Sequence, residues 1–377
     1  MLIPMVLAQN LRIRLYDGVA TKELQCVVGT GEYLLEIHQS DGVIKSYLLP
    51  TFAQGRIKVN NSNLQFFQGA NLLGQGIKIT LIQGAKEDFI NWSVPLVSSK
   101  VRAYESDFEL TVVKGQIQVI NHVDLDTYLE GVVSSEGGSG HQKAYYQAQA
   151  IISRTYALAY QNRHQKEGYA LCDRVHCQAY LHKRSGSALI DSAVYQTHQM
   201  VLKDASGKYF PTFFSANCGG QTCPPQDVWN EPISGLYSFV DTFCIHTKQA
   251  NWQKRIPLTT WLDFLTANYD FPIADSTAMA LLQDFQSINR SAFYLHPVYG
   301  IPMRYLRQEF KLKSSFFNVV VSGQEVVLSG KGFGHGVGLC QEGAMQMAKK
   351  GYNATQILEF YYPGAVVVKD AHSPTKE

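Results

Sequence analysis

Net charge is nearly absent from this chain. Its 377 residues hold 33 Lys and Arg against 31 Asp and Glu, a formal charge of +2. No basic run and no aromatic-basic stripe occurs, so the electrostatic footprint of a nucleic-acid-binding protein is missing. Long hydrophobic runs are missing too. No apolar stretch approaches the ~20 residues that span a bilayer, so no transmembrane segment is expected. No internal repeat is visible. Charged residues make up only 17%, while 45% are apolar and 12% aromatic, which is ample for a large core and opposed to disorder. The length exceeds one typical domain, so two or more subdomains are expected. The 21 Tyr and 19 Phe are core by default, with a sugar-stacking surface as the alternative.

Cysteine is present but odd in number. Of the seven, Cys172 and Cys177 lie five apart, as do Cys218 and Cys223, while Cys26, Cys244 and Cys340 stand alone. At least one thiol is therefore unpaired in a monomer or binds something. Residues 1–9, Met-Leu-Ile-Pro-Met-Val-Leu-Ala-Gln, read as the remnant of a signal peptide or as a first strand. The positively charged region that opens a signal peptide is lacking.

The fold expected is α+β: a β-rich N-terminal domain followed by a mixed α/β domain with a helical insertion. Leu11-Arg12-Ile13-Arg14-Leu15 and Ile77-Lys78-Ile79-Thr80-Leu81 alternate strictly, as half-buried strands do. Gly and Asn clusters punctuate this β-rich part, residues 10–108, which holds no titratable constellation. Residues 109–365 form the second domain, with the insertion around 249–289 and a tail over 366–377. A hairpin at Lys114-Gly115 leads to Val123–Val133, where aspartates cap a short helix that carries Tyr128, Leu129 and Val132 inward. Ser134–Gly140 reads as a turn. The clearest helix follows, roughly from His141 to Arg163, with Ala144, Ala148, Ile151, Ile152, Thr155 and Leu158 at helical spacing. Thr259 or Thr260 is expected to cap a helix of the insertion, and Asn353 the last helix.

Two segments carry chemistry. Gly332-Phe333-Gly334-His335-Gly336-Val337-Gly338-Leu339-Cys340-Gln341-Glu342-Gly343-Ala344 places five glycines around or close to one imidazole. It is either a shaped site or a tight structural loop. No βαβ crossover follows it, so it is not a dinucleotide fingerprint. Far upstream, Glu136 stands in the Ser/Gly stretch. A carboxyl group beside apolar groups keeps its proton towards neutral pH and can act as a general acid. The competing reading has Glu136 only favouring the next helix's N-terminus. His164, Cys172, His176 and Cys177 fall within fourteen residues and offer the two imidazoles and two thiolates of a tetrahedral Zn²⁺ site. A Cys172–Cys177 disulfide is the other reading. The adjacent pair His176-Cys177 is awkward on a regular strand, because neighbouring side chains point to opposite faces.

Tyr128-Leu129-Glu130-Gly131-Val132-Val133-Ser134-Ser135-Glu136, followed by Ala148–Leu158, resembles the SpoIID/LytB family. Gly332–Ala344 matches that family's second signature, and Gly219-Gly220-Gln221-Thr222 with Val228-Trp229 a third. The resemblance covers residues 110 to 365 and leaves the β-rich domain outside. It implies a peptidoglycan lytic transglycosylase acting on glycan strands stripped of stem peptides, or a non-catalytic glycan-binding amidase enhancer whose partner is a cell-wall amidase. Glu136 would be the catalytic acid. Arg154, Ser215, Gly219, Gly220, His335 and Gln341 would be substrate contacts, with Arg154 equally readable as a buried structural residue. The resemblance also implies a zinc, structural in role, on His164, Cys172, His176 and Cys177, and an exported, periplasmic or wall-associated location. Cys218, Cys223, Cys244 and Cys340 depart from the family pattern, and bridges Cys218–Cys340 or Cys223–Cys244 are readings of them.

Overall fold

The computed structural model describes residues 10–95, 98–183, 186–296 and 298–370. The signal-remnant reading of residues 1–9 therefore lies outside the described residues. The fold is mixed α+β with a β-rich N-terminal region, as expected. It divides into two compact units: residues 10–201 with 368–370, and Leu202–Val367.

The alternating segments become strands whose apolar positions face inward. In Leu11–Leu15, Leu11, Ile13 and Leu15 are buried while the two arginines between them are half-exposed. The first unit holds a six-stranded sheet and a seven-stranded sheet. In the latter, Leu11–Leu15 lies between Gln116–Val123 and the short strand Leu171–Cys172. Lys114 and Gly115 both take positive φ, at 52° and 72°, and close the hairpin between Asp107–Val113 and Gln116–Val123. That is the backbone of a two-residue turn matching strand twist.

Among the described residues, three α-helices complete this unit: α1 (Leu125–Gly137), α2 (Lys143–Ala159) and α3 (Ala188–Gln196). They pack on one another. Asp124 caps α1 by accepting from the N–H groups of Asp126 and Thr127, and Tyr128, Leu129 and Val132 are fully buried. The helix runs further than the sequence suggested. Ser134, Ser135 and Glu136 belong to its last turns, and the chain leaves it only at Gly138, with φ 65°. Two serines are weak helix formers but not breakers, and tertiary contacts override that preference.

The second unit contains α4 (Gln226–Trp229), α5 (Leu258–Tyr269), α6 (Ser276–Leu282), α7 (Met303–Glu309), α8 (Gln341–Lys349) and α9 (Ala354–Tyr361). A four-stranded sheet runs in the order Asn251–Pro257, Glu325–Lys331, Phe317–Ser322, Asp284–Phe285. Its core gathers Trp252, Trp261, Leu265, Leu282, Tyr294, Leu306 and Val326. The stretch 249–289 thus contributes two strands as well as two helices. Pro257, not a threonine, precedes α5, whereas Asn353 caps α9 through a full capping box. Val366–Lys369 is a strand.

Candidate functional site

Glu136 lies at the C-terminal end of α1, where the helix dipole presents its negative end. Its Oε1 accepts the Ala179 N–H at 2.6 Å. One residue earlier, the Ser135 hydroxyl accepts the Leu181 N–H at 3.1 Å. The last turn of α1 is thereby laced to the 178–182 segment. Burial disfavours the ionised carboxylate and raises its pKa, against the smaller lowering by the Ala179 N–H. Gly131 lets that segment come close. A Cβ there would meet the Tyr180 ring at 2.4 Å and the His182 carbonyl oxygen at 2.6 Å. Tyr180 is fully buried, its hydroxyl bonded to Asn121 at 3.1 Å and its carbonyl accepting the Tyr104 hydroxyl at 3.0 Å.

Immediately before this segment, the structure gathers His164, Cys172, His176 and Cys177. One ligand atom of each lies within 4.8 Å of all the others. Cys177 Sγ is 3.5 Å from His164 Nε2 and 3.8 Å from His176 Nδ1, which is also 3.8 Å from Cys172 Sγ. His176 and Cys177 lie in a turn rather than on a strand, so both can face one point. The other nitrogen of His164 meets Glu167 Oε1 at 2.9 Å, the outer partner a ligating imidazole takes. Asp173, next to Cys172, accepts the Tyr16 N–H at 2.7 Å and pairs with Arg102 at 2.9 Å, anchoring the loop. The donor set and spacing fit one tetrahedral ion with no open position.

Arg154 sits inside the same unit, fully buried in α2. Its guanidinium pairs with Asp126 at 3.0 Å and donates to the Thr197 carbonyl at 2.8 Å. That joins the start of α1 to the end of α3 and is an interior, structural use of the side chain.

Ser215, Gly219, Gly220, His335 and Gln341 all belong to the second unit. The strand Phe214–Ser215 runs parallel to Leu339–Cys340, with Ser215 opposite Cys340. The Ser215 hydroxyl is buried and has no hydrogen-bond partner among the described residues. The glycine loop packs tightly: at Gly338, with φ 70°, a Cβ would lie 2.0 Å from the Phe213 carbonyl oxygen. Its N–H groups are partly engaged, Gly332 with the Ala250 carbonyl and Gly334 with that of Lys313. His335 Nδ1 accepts the Val337 N–H at 2.9 Å, which leaves the proton on Nε2, and the ring packs 5.3 Å from Trp229. Burial, then Arg307 and Arg290, push its pKa down to about 4, so this imidazole is neutral. Gln341 is buried at the first position of α8.

Sequence reasoning missed the supports of these groups. Ala179 and Leu181 act through backbone and leave no residue-type signal. Gly131 could have been found, because a glycine within a helical pattern marks a close approach. Asn217 and Glu342 form a second missed network: Asn217 Nδ2 donates to Glu342 Oε2 at 2.7 Å, and Gly219 N–H to Asn217 Oδ1 at 2.7 Å.

The family described as "SpoIID: Stage II sporulation protein" matches residues 113–203. An uncharacterized protein of Brachyspira hyodysenteriae is 25% identical over 253 residues, covering 66% of this chain and 68% of its own length. The stage II sporulation protein D of Bacillus subtilis is 24% identical over 282 residues, 70% of this chain and 79% of that protein. The amidase enhancer of Bacillus subtilis is 25% identical over 289 residues, but these are 63% of this chain and only 40% of that protein.

Proposed function

We propose, from the match of residues 113–203 to the SpoIID family and the similarity to a stage II sporulation protein D, that this SpoIID-family chain has a cell-wall role, as a lytic transglycosylase that cleaves denuded peptidoglycan glycan with Glu136 as its one acid and base. The observation that carries it is the carboxyl group at the end of α1, held by the Ala179 N–H and kept protonated towards higher pH by burial. One carboxyl group suffices for this chemistry. Hydrolysis normally needs a second to activate water or to form a glycosyl-enzyme. Here Glu136 gives its proton to the glycosidic oxygen as the C–O bond breaks. As carboxylate it then takes the proton of the muramic C6 hydroxyl, whose oxygen closes a 1,6-anhydro ring. The proton is returned and no water is consumed.

A structural zinc on His164, Cys172, His176 and Cys177 belongs to the same proposal. When bound, it would fix the loop that continues into Ala179 and Leu181, and so the carboxyl group they hold. Ser215, Gly219, Gly220, His335 and Gln341 are proposed to contact glycan, and the protein to act outside the cytoplasm.

The test incubates the protein with peptide-free glycan strands in ¹⁸O-labelled water. Anhydro-muramic ends free of label are expected. Labelled reducing ends would mean hydrolysis and contradict the proposal. The similarity to a protein named amidase enhancer favours one second reading, glycan binding that stimulates a separate amidase. Sedimentation with sacculi and a stimulated amidase, with no soluble glycan product, would support it.

A further inference from the structure

The second unit holds a second cluster of metal-ligand side chains, separate from the His/Cys set of the first. Cys218, Asp241, Cys244 and Cys340 each place one ligand atom within 4.8 Å of the others, and all four residues are fully buried. Cys218 Sγ lies 3.4 Å from Cys244 Sγ and 3.2 Å from Asp241 Oδ2. We propose that these four residues bind a single tetrahedral divalent metal ion, Zn²⁺ by preference, which ties together three separate segments of the second unit.

Three observations carry the assignment. The first is spacing. A Zn–S bond of ~2.3 Å sets the ligand atoms of a tetrahedron ~3.8 Å apart, close to what is seen. The room is that of one ion, not of a multi-metal cluster. The second is charge. Asp241 is bonded to the Tyr361 hydroxyl at 2.8 Å, the Phe243 N–H at 2.9 Å and the Cys218 thiol, and among the described residues none of these partners is cationic. A fully buried carboxylate among thiols is costly unless a cation joins it. The third is the surrounding shell. Cys340 Sγ accepts the N–H groups of Cys218 at 3.3 Å and Gly343 at 3.4 Å, which orients the sulfur as outer partners orient a ligand. A Cβ on Gly343 would come 2.7 Å from Asp241 Oδ2 and 3.3 Å from Cys340 Sγ, so this glycine keeps the space open.

Three sulfurs and one oxygen suit a borderline-soft ion such as Zn²⁺ better than the all-oxygen ions Ca²⁺ and Mg²⁺. Four protein ligands leave no open position, so the ion is structural. It would hold Cys218 beside Gly219 and Gly220, the 241–244 turn, and Cys340 beside Gln341. A disulfide is the competing use of these thiols, and it would leave one of the three over. The inference does not depend on what the protein does to glycan.

The test uses the full chain, purified without chelator, in the variant Cys172→Ser/Cys177→Ser, which disables the first cluster. Elemental analysis is expected to find one zinc per chain in it. Replacement by Co²⁺ is expected to give sulfur-to-cobalt charge-transfer bands and the intense visible bands of a tetrahedral site. If this variant does not fold, wild type is compared with Cys244→Ser, and their metal contents are expected to differ by one ion. Equal contents, or a metal-free folded double variant, would overturn the proposal. So would peptide mapping that finds any two of Cys218, Cys244 and Cys340 joined as a disulfide.

Discussion

At Glu136 burial and the negative end of α1 push the carboxyl the same way, towards keeping its proton above the ordinary value of 4.5. A general acid works only while protonated. Glycan cleavage should therefore fall as pH rises through the folded pKa of Glu136, and the falling limb of the pH–rate profile should lie above 4.5. A limb at or below that value would contradict the role. His335 is shifted the opposite way, from 6.5 down to about 4. Its folded form refuses a proton that the unfolded chain accepts, so stability present above 6.5 is lost as pH falls towards about 4. Urea unfolding of the second unit should show this loss, and His335→Gln should flatten it. Arg154 offers a third residue-level outcome. Arg154→Met leaves the buried Asp126 carboxylate with His198 Nδ1, 2.7 Å away, in place of its guanidinium pair, and should cost about 3 kcal/mol, read by denaturant unfolding.

At the scale of elements, α1 does two tasks. Its first turn meets Arg154 and its last turn presents Glu136, so displacement of either end reaches the carboxyl. Gly131→Ala pushes a methyl against Tyr180 and the His182 carbonyl, and should destabilise the first unit by about 1–3 kcal/mol. It should also reduce activity by moving Ala179, whereas unchanged stability would mean that the 178–182 segment yields freely. The strands and the caps at Asp124 and Asn353 were legible in the sequence because alternation and capping are local properties. The end of α1 was not. Ser134–Gly140 has turn composition, and the hydrogen bonds from Ala179 and Leu181, more than forty residues away, show what Ser135 and Glu136 of that last turn engage.

At the scale of the whole molecule, the residues singled out divide between the two units: Glu136, Arg154 and the His/Cys cluster in one, the glycine loop and its neighbours in the other. Motif order along the chain made both groups legible but could not tell which residues share a unit. The set His164, Cys172, His176 and Cys177 was readable because its members fall in one short window. Cys218, Asp241, Cys244 and Cys340 come from three distant segments, so no spacing announces them. If the first set holds zinc, Cys172→Ser/Cys177→Ser should lower the thermal stability of the first unit and leave the transition of the second unchanged.

The central claim is that one carboxyl group, Glu136, performs the cleavage. The most direct measurement compares wild type with Glu136→Gln on denuded glycan, counting anhydro-muramic ends by mass spectrometry while circular dichroism verifies that both are folded. Loss of a general acid that also serves as base should slow the reaction by on the order of 10²–10⁴-fold. Equal yields of anhydro ends from the folded variant would contradict it.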